Sequence, residues 1–167
     1  MPPAPRQQPG DDDDAWMRRA IDAARAGIAR GQTPFGACIV SADGGEIVSA
    51  HNVVWETTDI TAHAEVTAIR RACAKLGAID LSGCAIYSTC EPCPMCFSAC
   101  HWARIARIVY GASIDNARAA GFNELAISNE QMKRLGGSGV SVAAGVLREE
   151  TAALFEEWLM HGGGRGY

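Results

Sequence analysis

The chain has 167 residues, 48% of them hydrophobic and 20% charged, and a formal net charge of −4. That length and apolar content fit one globular domain with a proper core and exclude a disordered chain. No apolar run approaches the ~20 residues needed to span a membrane, residues 1–14 lack the apolar core of a secretory leader, and no Lys/Arg stripe offers nucleic acid a basic footprint.

Residues 1–14, Pro-rich and then acidic, read as a disordered lead-in to a domain over 15–160. Trp16, Met17, Ala20, Ile21, Ala24 and Ile28 recur at helical spacing, with the acids of Asp11–Asp14 at the positive end and Gly31 as the stop. Phe35 to Ser41 reads as a strand, Asp43-Gly44-Gly45 as a hairpin turn and Glu46 to His51 as the returning strand. Ala62 to Leu76 is an amphipathic helix that Gly77 ends. Cys84 to Thr89 is a strand running into a helix around Cys93, with Pro92 suited to the helix start. A short strand at Arg107 to Tyr110, a loop-and-helix region over Asn116 to Leu135, a strand at Val140 to Val146 and a helix at Arg148 to Met160 follow. Gly162-Gly163-Gly164 frees a tail over 161–167 that ends in Tyr167 and is suited to capping an active site. The order α-β-β-α-β-α-β-α-β-α predicts an α/β domain of three layers, α/β/α, around a five-stranded mixed sheet.

Chemistry concentrates at His63-Ala64-Glu65 and Pro92-Cys93-Pro94-Met95-Cys96. Zn²⁺ accepts imidazole and thiolate, and a catalytic zinc site uses three protein ligands, leaving a fourth position for water. His63, Cys93 and Cys96 supply those three. Glu65 is the carboxylate left over for proton transfer, in the H-x-E…P-C-x-x-C arrangement of base deaminases. Two residues apart on a first helical turn, His63 and Glu65 diverge by roughly 200°, so one can hold metal while the other reaches substrate. Cys93 and Cys96, three apart, share a helix face, and a helix N-terminus favours thiolate.

A rival pattern overlaps the second motif. Cys90, Cys93, Cys96 and Cys100 form the C-x₂-C-x₂-C-x₃-C run of iron–sulfur electron carriers. It lacks the following proline and a second cysteine set, and it leaves His63 and Glu65 without a role. Cys38, Cys73, Cys84, Cys90 and Cys100 read instead as reduced core residues of a cytoplasmic protein.

With these residues placed, the chain resembles the cytidine deaminase-like superfamily. Within it, Thr61 to Arg70, Cys90 to Cys96, His101-Trp102-Ala103-Arg104 and Ala120-Gly121-Phe122 resemble the bacterial guanine deaminases, with the plant guanosine deaminases next. The resemblance runs from about residue 15 to 125, with an echo at Tyr167. It implies a zinc cofactor on His63, Cys93 and Cys96, with Glu65 as proton shuttle. It also implies substrate contacts from Phe35, Asn52, Ala64, Trp102 and Tyr167, and a homodimer whose C-terminal segment is swapped between subunits; a folded-back or a disordered tail are the alternatives the sequence leaves open. The bacterial enzymes carry a second catalytic aspartate after the fourth strand. Counting back from Gly121-Phe122, that position holds Asn116 here, so either the neighbouring acid Asp115 takes the role or the substrate differs.

The function these features imply is zinc-dependent hydrolytic deamination of a free purine-type base or nucleoside, with water as co-substrate and ammonia released. Guanine to xanthine leads, guanosine follows, and an aminotriazine or cytosine comes next. Wobble-adenosine tRNA deamination ranks lower, because Gly111-Ala112-Ser113-Ile114-Asp115-Asn116 replaces the segment typical of those enzymes. The iron–sulfur carrier ranks last.

Overall fold

The computed structural model describes residues 11–167. Residues 1–10 of the expected lead-in lie outside them. Helix α1 spans Asp11–Ala29, so Asp12 to Asp14, assigned to the lead-in from sequence, belong to its first turn. The apolar spacing explains the longer helix, since Asp13 lies one turn before Met17 on the buried face.

Strand β1 (Gly36–Val40) and strand β2 (Glu46–His51) form the expected hairpin. Then come α2 (Val54–Thr57), a single turn the sequence did not suggest, α3 (Ala64–Leu76), β3 (Ala85–Cys90), α4 (Pro94–Trp102) and β4 (Arg107–Ala112). The expected loop-and-helix region resolves into α5 (Ile114–Ala119), a loop, and α6 (Asn129–Gly136). Strand β5 (Ser141–Ala144) and helix α7 (Arg148–Met160) complete the domain.

The sheet order is β2-β1-β3-β4-β5. β1 pairs antiparallel with β2 and β3, whereas β3–β4 and β4–β5 are parallel, so the sheet is mixed. Alternate residues of each strand face opposite layers. Ala37, Ile39, Ile86 and Ile108 pack with Ala64, Ala68 and Ala72 of α3 and Phe97 and Cys100 of α4. Cys38, Val40, Tyr87 and Val109 pack with Met17, Ile21 and Ala24 of α1 and Leu154 and Phe155 of α7. Both faces are covered, which is why β1 reads as an unbroken apolar run with no polar alternation. The three layers and five-stranded mixed sheet agree with the fold expected from sequence. No described helix is long and apolar enough to cross a membrane.

Candidate active site

Two helix starts converge on the ligands named from sequence, with one adjustment at each. Helix α3 begins at Ala64, so His63 is its N-cap, in extended backbone (φ −59°, ψ 160°), and not a first-turn residue. Helix α4 begins at Pro94, so Cys93 is its N-cap (φ −63°, ψ 166°), and Pro94, not Pro92, takes the first helical position. Proline suits that position because its missing N–H has no helical partner there. Neither side chain makes a capping hydrogen bond, and the His63 ring reaches across the gap to both thiols.

His63 Nδ1 lies 3.7 Å from Cys93 Sγ and 3.5 Å from Cys96 Sγ, and the three ligand atoms fall within 4.8 Å of one another. A tetrahedral zinc with ordinary Zn–N and Zn–S bonds needs N···S separations of about 3.6 Å, so the donor set fits that ion in both chemistry and spacing. The Cys96 thiol and the His63 ring, both hydrogen-bonded to Cys93, pull the Cys93 thiol down, and the same bond pushes Cys96 up. The positive ends of α3 and α4 add to the preference for anionic ligands.

Glu65, in the first turn of α3, is buried beside this cluster and outside the ligand set. One carboxylate oxygen lies 2.9 Å from Ser88 Oγ, and the other is 3.4 Å from Cys96 Sγ. Burial raises its pKa above the ordinary carboxylate range against the opposing pull of His63. Ser88 also lies 2.7 Å from the Cys90 carbonyl oxygen, so one hydroxyl proton is shared between two acceptors. This serine was not singled out from sequence.

A cavity of about 360 Å³ opens over the cluster, lined by His63, Cys93, Met95, Asn123, Glu124 and Tyr167 among others. Glu124 also borders a smaller void shared with Phe35, Glu65 and Cys93. Its pKa is raised to about 7, by burial first and then by the charges of Cys93 and Glu65. Glu124 is the acid that sequence reasoning missed. The sequence pattern points back from Gly121-Phe122, whereas this half-buried carboxylate lies two residues beyond Phe122.

Asp115 is not brought to the site. Its side chain is 85% exposed and pairs with Arg118 one turn along α5 at 3.5 Å. Asn116 closes a capping box with Ser113. The expected role for Asp115 therefore fails on geometry. Trp102 also lies away from the site. It is 82% exposed at the C-terminal end of α4, while the thiols sit toward the N-terminal end, about 9–14 Å of helix rise away. It lines a separate surface cavity with Ile79, Asp80, His101 and Arg104.

The remaining candidates converge. Phe35 packs edge-on against Phe122 (4.9 Å) and borders Glu65 and Cys93. Ala64 is fully buried at the start of α3, between His63 and Glu65. Asn52 is fully buried; its Oδ1 accepts the Val54 N–H at 3.1 Å and its Nδ2 donates to the Tyr167 hydroxyl. That hydroxyl also lies 3.2 Å from Thr33 Oγ1, and the Tyr167 ring stands 5.5 Å from the His63 ring. The tail is folded back on its own chain. Trp55 Nε1 donates to the Arg165 carbonyl at 2.8 Å, the Arg165 guanidinium sits 4.2 Å over the Trp55 ring, and the Asn123 N–H donates to a Tyr167 backbone oxygen.

Residues 11–112 match the family described as the cytidine and deoxycytidylate deaminase zinc-binding region. The chain belongs to that family and is a zinc-dependent deaminase, a hydrolase. Among its relatives, guanine deaminase of Bacillus subtilis (strain 168) is 46% identical over 118 residues, 70% of this chain and 75% of that protein. The tRNA-specific adenosine deaminase of the same organism is 34% identical over 85% of each chain. Two solved structures, each 34% identical and covering 87% of this chain and 83% of theirs, share the fold. One, with a TM-score of 0.80, is described as guanine deaminase from Nitrosomonas europaea, and the other, with a TM-score of 0.81, is a complex with 8-azaguanine.

Proposed function

We propose that the protein hydrolyses guanine to xanthine and ammonia, with zinc held by His63, Cys93 and Cys96. The observation that carries this reading is the placement of two carboxylates, buried Glu65 and half-buried Glu124, around one small void that His63 and Cys93 also line, with Cys96 within 4.8 Å of both. Zinc held there would lower the pKa of water toward ~7 and so would supply a nucleophile at neutral pH. Glu65 takes a proton from the attacking water and delivers it to a ring nitrogen. Glu124, half-buried beside the ligands, protonates the departing amine, the role expected of Asp115 from sequence. Asn52 fixes the ring by its amide, Phe35 and Ala64 form the wall, and Tyr167 closes the cavity against bulk water.

The names of the guanine deaminase relatives and the 8-azaguanine complex support guanine over other bases. The homodimer implied by resemblance is best placed on the face where Ile79 and Trp102 stand more than 80% exposed. Seven free cysteines suit a reducing, cytoplasmic location.

The test is an ammonia-release panel of guanine, guanosine, adenine, cytosine, an aminotriazine and a tRNA anticodon stem. Guanine is expected to give the highest kcat/KM by at least tenfold. Preference for guanosine or for tRNA would replace this assignment.

A further inference from the structure

The segment that leads from β3 into the metal site, Glu91-Pro92-Cys93, carries a buried acid that takes no part in the chemistry above. Glu91 is 7% exposed. Its Oε2 accepts the Ile114 N–H at 3.2 Å, at the start of α5, and its Oε1 accepts the Asn129 N–H at 2.9 Å, at the start of α6. Asn129, fully buried, returns the contact by donating from Nδ2 to the Pro92 carbonyl at 2.6 Å. The Glu91 N–H donates to the Ala112 carbonyl at 2.7 Å, at the end of β4.

We infer that Glu91, with Asn129, is a positioning clamp that fixes the α5–loop–α6 unit carrying Glu124 against the turn carrying Cys93. The inference rests on the role given to Glu124 above. A carboxylate suits this place because both of its oxygens accept, and each faces a backbone donor at a helix start, where partial positive charge favours an anion. An amide offers one acceptor oxygen and an NH2 that only donates, so it leaves one of the two backbone N–H groups facing another donor. Glu91 lies two residues before Cys93, and the loop between α5 and α6 has no strand or long helix of its own to hold Glu124. A small displacement of a proton-transfer group costs rate out of proportion to the distance moved.

The test uses Glu91→Gln in the full-length, zinc-supplemented protein. Amide exchange at Ile114, at Asn129 and across residues 120–128 should quicken at least tenfold, while the β3 and β4 amides stay protected. kcat should fall ten- to a hundredfold, with KM changed much less and about one zinc per chain retained. The double variant Glu91→Gln/Glu124→Gln should be no slower than Glu124→Gln alone, the coupling expected of residues that act through one another. Should Glu91→Gln fail to fold, Asn129→Ala keeps the carboxylate, removes only the Pro92 contact, and should show the same coupling. Unchanged exchange at residues 114 and 129, or losses that multiply in the double variant, would overturn the clamp. Full turnover in Glu124→Gln would instead remove the role assigned to Glu124, and the exchange measurement would still judge the clamp.

Discussion

Glu65 and Glu124 share a cavity but not an environment, and their tasks differ for that reason. Glu65 is buried in the first turn of α3, beside Ser88 and within 3.4 Å of a ligand thiol, where its surroundings fix its orientation. Glu124 stands on a loop at the mouth, with its pKa near 7. Glu65→Gln is therefore expected to keep the fold and the zinc and to lose at least ~10²–10⁴-fold in kcat, since one group serves several proton transfers. Steady-state turnover alongside elemental analysis checks this, and turnover near normal would assign the proton transfers elsewhere. Asp115→Asn, by contrast, should leave turnover within about twofold, because an exposed i,i+3 pair contributes little. His63, Cys93, Cys96 and Glu65 were legible in the sequence because their residue types are scarce and their spacing is set by local backbone. Glu124 and Ser88 were not, because nothing in a lone glutamate on a loop or a serine in a strand distinguishes a buried partner from a solvated one.

Helices α3 and α4 present their ligands from caps, and that detail escaped a reading based on periodicity. Apolar spacing marks where a helix packs but places its ends only to within a residue or two. Ala62 is buried like a helix residue, yet it precedes the cap. Gly77, by contrast, stopped α3 where the sequence indicated, in left-handed backbone with φ 64°. The tail is the element whose structure sequence left open, since three glycines give no local reason for order. Its order comes from contacts distant in sequence: Trp55 on Arg165, and Thr33 and Asn52 on the Tyr167 hydroxyl. Removing residues 163–167 should lower kcat/KM by tenfold or more, equivalent to about 1.4 kcal/mol, with zinc content unchanged. Kinetics indistinguishable from the intact chain would show that Tyr167 rests on the site without contributing to it.

Across the whole molecule, the order of elements and the two-sided burial of the sheet followed from period-2 and period-3.6 patterns, whereas the long-range polar ties did not. Asp12, Asp13 and Asp14 look alike in the sequence, but only Asp13 falls on the buried face of α1. There it accepts two hydrogen bonds from Arg107 at 2.7 Å each, on β4, and one from the Tyr87 hydroxyl at 2.8 Å, on β3. This one carboxylate therefore fastens the first helix to two central strands. Burial pushes the Asp13 carboxyl up, but the bonds from Arg107 and Tyr87 and the guanidinium charge outweigh it and hold the group below its ordinary value of 3.8. A carboxyl that ionises more readily in the folded than in the unfolded chain contributes fully above that ordinary value. The contribution is lost as pH falls through the lower, folded value. Asp13→Asn should cost about 1–3 kcal/mol at pH 7, the range for hydrogen bonds to a charged group and for a partner left unsatisfied. The gap between variant and parent should narrow as pH falls below about 4, because the parent then loses the same charge. Denaturant unfolding of both proteins at pH 7, 5 and 3 measures this directly. A gap that stays constant down to pH 3 would mean that Asp13 acts through packing and not through its charge.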